Sequence, residues 1–342
     1  MSRLRVFDAS ASQGRHCAFD ASASRGRHRA FDATAGRGIY RRTILLMGTA
    51  VTFEAVRHPR RAASADPEAH IDRGIEWFRR VEASCSRFDE ASEVRQLATR
   101  VGGPVVVSPI LFEAVQFALA VAEASGGAFD PTIGADLEAR GFNEEYRTGA
   151  AVHSGVAPDA SVSYRDVLLD PGPRTITLRR PLLLDLGGVA KGLAVDLASR
   201  ELAPLEDFAI DAGGDLFLSG HNAGDEPWVI GIRHPREDGR LLDTLRLTNC
   251  AVCTSGDYAR RNARGHHLLD ARTRESASAI ASLTVMAPTA MVADALGTAA
   301  FALGPEDGVR FLERHGVEGF GVTPALDRFG TADSHRVVLS HA

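Results

Sequence analysis

Between Ala290 and Leu303 runs a fourteen-residue stretch, Ala290-Met-Val-Ala-Asp294-Ala-Leu-Gly-Thr298-Ala-Ala-Phe-Ala-Leu303, closed by Gly304-Pro305. It reads as a helix that is apolar nearly all round, and a helix without a polar face must be enclosed on every side. The chain therefore has to supply packing layers around it, which calls for a large core and not an open bundle. Asp294 and Thr298 stand four residues apart and share one face of that helix. A buried carboxylate without a partner costs several kcal/mol, so Asp294 demands one. A carboxylate beside a hydroxyl is a hard oxygen pair that suits Mg²⁺; an aspartate capping a neighbouring loop would satisfy the same demand.

With 342 residues, 44% of them hydrophobic, the chain is long enough to build such a core. Its 39 basic and 44 acidic residues give a net charge of −5, which excludes a strongly basic nucleic-acid binder. All the basic residues but one are arginine. The single lysine, Lys191, points to a place where a compact ammonium is needed and a broad guanidinium does not serve; survival by chance is the other reading. No apolar run approaches the ~18 residues of a membrane-spanning helix. Ile44–Phe53, preceded by Arg41-Arg42-Thr43, imitates a twin-arginine export signal, yet Glu54 falls where small residues should lie, and a first core strand is the expectation. Four cysteines are too few for a disulfide scaffold, and a cytoplasmic location is expected.

Residues 6–41 hold three copies of a twelve-residue unit built on Phe-Asp-Ala-Ser or Phe-Asp-Ala-Thr and running into Gly-Arg. The units show neither helical nor strand periodicity, so residues 1–42 are expected to form a disordered arm, with one domain over 43–342. The arm carries nine arginines against three aspartates, which leaves the rest of the chain acidic. Helices are predicted over Pro67–Cys85 and Pro109–Ala124, the second stopped by Gly126-Gly127. Strands are predicted at Thr49–Val56, Arg165–Leu169, Thr175–Leu178, Phe208–Asp211, Trp228–Ile232, Leu241–Thr248 and Leu283–Val285. Several follow one another without an intervening helix, which favours antiparallel pairing and an α+β domain of mainly antiparallel sheets packed with helices.

Asp185-Leu-Gly-Gly-Val-Ala-Lys191-Gly192, after apolar Leu182–Leu184 and before a helical run Leu193–Leu202, is the strongest single motif. Glycines at a helix start expose backbone N–H groups to a phosphate, and Lys191 would add a point charge; a plain structural turn has the same appearance. Asp211-Ala-Gly-Gly-Asp215, Thr254-Ser-Gly256 and Gly126-Gly-Ala-Phe-Asp130-Pro-Thr132 are further glycine-bearing segments where backbone can approach a ligand. His266-His267 lies close to Asp270, an imidazole and carboxylate suited to base or ligand duty or to ordinary hydrogen bonding. Cys250 and Cys253 sit in a strand-like context that turns their sulfurs to opposite faces, against a shared zinc or redox role.

Taken in order, these segments resemble the ApbE-type FAD:protein FMN transferase family. The resemblance rests on Met47-Gly-Thr49, Ser86-Arg-Phe88-Asp with Ser92-Glu93, Gly127 to Gly134, Asp185 to Gly192, Ala212 to Asp215, Thr254-Ser-Gly256, His267-Leu-Leu-Asp270 and Ala293 to Thr298. It implies Mg²⁺ held by Asp294, Thr298 and the Gly188 carbonyl. It also implies a flavin nucleotide site lined by Met47, Phe88, Ala128, Phe129, Asp130, Asp185, Lys191, Ser255 and Leu269, with His267 and Lys191 catalytic. The implied reaction moves FMN from FAD, the substrate, to a Thr or Ser hydroxyl of an acceptor protein and releases AMP. An FAD pyrophosphatase and a non-catalytic FAD-binding protein are the alternatives. The chain departs from the family where Ile-Asp-Pro-x-Thr-Gly is expected and Leu269-Asp270-Ala-Arg-Thr273-Arg274 stands.

Overall fold

The computed structural model describes residues 38–57, 66–332 and 334. Residues 1–37, and the three repeats with them except for the last few residues, lie outside the described residues. Their C-terminal border differs from the expected one: strand β1 spans Gly38–Leu46 and pairs in register with β2, Thr49–Arg57, so residues 38–42 belong to the sheet. The alternating exposure of Arg41, Thr43 and Leu45 hides this strand from a search for apolar runs. The Ile44–Phe53 run is divided by a two-residue turn, Met47-Gly48, in which both residues have positive φ, as a I′ hairpin turn requires.

β1 and β2 open an eight-stranded antiparallel sheet that continues through Phe208–Ala212, Asp215–Ser219, Cys250–Gly256, Ser282–Ala287, Glu318–Val322 and Arg328–Gly330. Among the described residues there are seven α-helices: α1 Pro67–Cys85, α2 Glu93–Ala98, α3 Pro109–Ala124, α4 Gly134–Ala139, α5 Gly187–Leu202, α6 Ala290–Leu303 and α7 Pro305–Arg314. Alternation along the strands sorts side chains into two cores. Phe53, Phe217, Ala251, Cys253 and Val285 face a layer of α1, α3, α5 and α6. Leu218, Cys250, Val252 and Met286 face a separate hairpin, Trp228–Arg233 with Leu241–Leu247, through Trp228, Ile232, Leu245 and Leu247. The two cysteines do point to opposite faces.

Helix ends follow the local chemistry. Asp66 and Ser108 cap α1 and α3 with side-chain oxygens, each with proline at the first helical positions. α3 stops where Gly126 and Gly127 take positive φ and the Gly127 amide donates back to Ala122 at 2.8 Å. The strand expected from Arg165 begins at Val167, because Tyr164–Asp166 forms a 3₁₀ turn. Leu182–Leu184 is no regular strand and makes one parallel bridge, Leu183 to Ile133.

α5 crosses α6, and the crossing is fastened by Asp196, which the sequence reading did not single out. Its carboxylate accepts the Ala290 and Met291 amides at 2.7 and 3.0 Å, satisfying donors that the α6 N-terminus would otherwise leave bare. Asp196 is only 7% exposed. Asp196→Ala is expected to destabilise the fold by about 2–3 kcal/mol by orphaning those buried N–H groups. Urea denaturation checks this, and an unchanged midpoint refutes it.

Candidate functional site

One end of the sheet gathers the Met47-Gly48 turn, the Gly213-Gly214 turn and the opposed pair Asp215 and Cys253. The α5–α6 crossing packs against this end. α5 starts at Gly187, earlier than the expected Leu193, so Lys191 lies within the second turn and not in a loop before the helix. Its ammonium reaches across to Asp215, with which it forms a close ion pair, and to Asp294 Oδ2 on α6 at 3.3 Å. Both carboxyl groups are buried. Burial alone would lower the Lys191 ammonium, but the two carboxylates outweigh it and hold its pKa above the ordinary value. For Asp294 burial dominates, Asp215 adds to it, and the carboxyl is held well above the usual carboxylate range.

This cluster sits against small backbone. A Cβ on Gly188 would lie 3.1 Å from Thr298 Oγ1 and 3.2 Å from the Phe129 ring, which brings the Gly188 backbone beside Thr298 as a shared donor set needs. Ser255 stands beside Gly297, the residue before Thr298. The Cys253 thiol donates to the Ala290 carbonyl at 3.6 Å, and burial followed by the nearby Asp215 and Asp294 pushes its pKa far up, so it stays protonated.

The residues expected to line the nucleotide form a second arc. Asp185 accepts the Gly187 amide at 2.8 Å and pairs closely with Arg87. Burial would raise its carboxyl, and the Arg87 guanidinium reverses this, so Asp185 stays ionised. Arg87 also stacks 4.1 Å over the ring of Phe88. The Met47 amide donates to Glu82 Oε1 at 3.1 Å, and the same oxygen accepts from Tyr146 at 2.9 Å. Met47 holds φ of 51°, a region costly for a non-glycine residue, and such strain persists only where neighbours over-determine it. Leu269 is buried, and the amide of Ala271, two residues on, donates to the Ala128 carbonyl at 3.0 Å.

Two carboxylates of these motifs have partners of their own. The Asp130 carboxylate is occupied within the protein: one oxygen takes the Thr132 amide and hydroxyl, the other the Tyr164 amide. Asp270 turns to Arg272 at 2.7 and 2.9 Å and not to the histidines. The departing segment keeps its turn all the same. Arg274, where the family pattern has glycine, adopts φ of 60°, donates its amide to Asp270 O at 2.7 Å and is pinned by an ion pair to Asp136.

His267 stands against Phe142 edge-to-face at 6.3 Å, and its Nδ1 is buried without a partner. Burial, then Arg260 and Lys191, lower its pKa to about 4, with Asp185 opposing and His266 adding slightly. The imidazole is therefore neutral at pH 7. Since the unfolded chain takes up this proton near pH 6.5 and the folded one only near 4, stability falls as pH drops through that window, by up to about 3 kcal/mol. His267→Asn is expected to shrink the stability difference between pH 7 and pH 5 by about 2 kcal/mol, measured by urea denaturation at both values. An unaltered difference would refute the assignment.

Asp215, Arg87 and Asp196 are the residues that sequence reasoning left out of the site. Asp215 and Arg87 each lay inside a quoted motif, and the signal that would have raised Asp215 was the lone lysine's need for a carboxylate. Among the described residues no three His, Cys, Asp or Glu side chains form a metal cage, and no helix is long and apolar enough to cross a membrane.

Fold and site together define a class: an α+β protein with an ammonium–carboxylate centre at a helix crossing. The family model described as ApbE family matches residues 47–320. The chain is 31% identical over 311 residues to the FAD:protein FMN transferase of Treponema pallidum, covering 83% of this chain and 84% of that one. It is 28% identical over 270 residues to the protein of the same name from Haemophilus influenzae, covering 74% and 78%. Among solved structures, the ApbE protein of Thermotoga maritima superposes with a TM-score of 0.78 at 29% identity, over 89% of this chain and all of that one. The chain belongs to the ApbE family.

Proposed function

We propose that this chain transfers FMN from FAD to a Thr or Ser hydroxyl of an acceptor protein and releases AMP, with Mg²⁺ as the metal. The observation that carries the reading is the Lys191 ammonium set between the buried Asp215 and Asp294, beside Gly188 and Thr298. The names of the relatives support it. Asp294, the Thr298 hydroxyl and the Gly188 carbonyl would hold Mg²⁺; they are hard oxygen donors, and the raised carboxyl of Asp294 marks a site short of positive charge. Bound there, the metal would gather charge from the pyrophosphate oxygens.

The chain's own residues supply the rest. Lys191 brings a permanent cation to the phosphates, and Asp215 fixes where its Nζ stands. Met47, Phe88, Ala128, Phe129, Asp185, Ser255 and Leu269 line the flavin nucleotide, while Asp130 shapes that wall through the Thr132 and Tyr164 contacts. The acceptor hydroxyl oxygen bonds to the FMN phosphorus, the bond to the AMP phosphate breaks, and AMP leaves with the electron pair. The hydroxyl proton passes to His267, which is unprotonated at pH 7. We place the reaction in the cytoplasm, a reading supported by Cys85, Cys250 and Cys253, all buried free thiols.

The test is incubation with FAD, Mg²⁺ and lysate of the source organism, followed by a denaturing gel read for flavin fluorescence. A Mg²⁺-dependent covalent band is expected. Free FMN and AMP without a band would replace the transferase with a pyrophosphatase, and intact FAD would leave a binding protein.

A further inference from the structure

Arg260 stands apart from several other arginines of the chain. Arg87 is paired with Asp185, Arg147 with Glu82, Arg236 with Asp257 and Arg274 with Asp136. Arg260 makes no hydrogen bond or ion pair among the described residues, although its backbone is held at φ of 44°, in the left-handed region. Its Nη2 lies against the hairpin turn, 3.3 Å from where a Cβ on Gly48 would be, so glycine at 48 leaves the room it occupies. The guanidinium is near enough for its charge to act on both Asp185 and His267. It thus overhangs the space between the Met47-Gly48 turn, Asp185 and the proposed base, with its donors unspent.

Arg260 is exposed, so water serves its guanidinium and the donors stay available to an anion that enters beside Asp185 and His267. Asp185 is not that anion, because Arg87 already holds it. A phosphate group has the geometry for a guanidinium fork and would be held by two parallel N–H···O bonds. We infer that Arg260 is a substrate-binding residue that grips the pyrophosphate of FAD, a second cation beside Lys191. This rests on the reading of FAD as substrate. Two cations of different kind then share the work: Lys191 is fixed by carboxylates, and the exposed Arg260 closes on the phosphates.

The experiment is equilibrium binding by flavin fluorescence of FAD and, in parallel, of riboflavin, which lacks phosphate. Wild type, Arg260→Gln, Arg260→Lys and the neighbouring exposed Arg261→Gln are compared. Arg260→Gln is expected to weaken FAD about 10- to 100-fold while riboflavin is unchanged within a factor of about two. Arg260→Lys should recover part of the loss, and Arg261→Gln should bind as wild type. The FAD affinity of wild type should fall with added salt more steeply than that of Arg260→Gln. Equal loss for both flavins, which a merely structural arginine would produce, overturns the inference, as does FAD binding by Arg260→Gln at wild-type strength. A wild type that binds no FAD removes the parent reading as well, so the two failures are told apart.

Discussion

Lys191→Arg is expected to lower kcat/KM for FAD by roughly 100-fold, equivalent to about 2.7 kcal/mol of lost transition-state stabilisation, although charge is conserved. The ammonium is a compact donor seated between Asp215 and Asp294, on a stem that rises from the second turn of α5. A guanidinium is planar and wider, and its fork would take Asp294 bidentately or be forced outward. Either way the carboxylate proposed for the metal is drawn from its place. Lys191→Met separates charge from shape: it leaves two buried carboxylates facing one another, and removing one member of a buried ion pair costs about 3–5 kcal/mol. Its thermal midpoint should therefore fall well below that of Lys191→Arg. Both quantities come from a steady-state assay of AMP release and a thermal melt. Near-normal turnover by Lys191→Arg would reduce the lone lysine to a compositional accident.

What could be read beforehand divides along a physical line. α1 and α3 were legible to the residue because their ends are written locally, in Asp66-Pro67, Ser108-Pro109 and the Gly126-Gly127 stop. The short antiparallel pairs were legible from the lack of helix between them. β1 was not, since its polar alternation makes sense only against β2. The start of α5 was misplaced for a related reason: two glycines argue against a helix locally, but the Asp185 side chain receives the Gly187 amide and burial of the following turns holds them helical. At the site, the demand of Asp294 for a partner and the oddity of Lys191 could be seen one residue at a time. That they answer each other could not, because 103 positions separate them, and Asp215 entered only once the strands had brought it there. Carboxylate orientation was likewise hidden: nothing in the letters around Asp130 says that Thr132 and Tyr164 would use both its oxygens.

The crossing that aligns Lys191 with Asp294 depends on one missing methyl group, and Gly192→Ala is expected to break it. A Cβ at position 192 would stand 2.5 Å from the Ala290 carbonyl oxygen and the Met291 Cα and 2.6 Å from the Ala290 carbonyl carbon. All three are backbone atoms at the start of α6, anchored by the Asp196 carboxylate, so no side chain can rotate away to make room. Relief requires α5 and α6 to move apart. Such overpacking against an immobile neighbour costs about 3 kcal/mol or more, which in a domain of this size lowers the melting temperature by roughly 5 °C or more. Gly103→Ala, where a Cβ would meet nothing within 4 Å and φ is ordinary, is the matched control and should shift the melt by no more than about 1 °C. Function should suffer before folding does. A separation of the two helices by a few tenths of an ångström lengthens the contact between Lys191 and Asp294, so the folded fraction of Gly192→Ala should show a weakened Mg²⁺ dependence of AMP release in addition to its lower melting point. A variant that melts with wild type and keeps its Mg²⁺ response would mean that α5 and α6 are not held at this distance, and that the alignment of the site has another source.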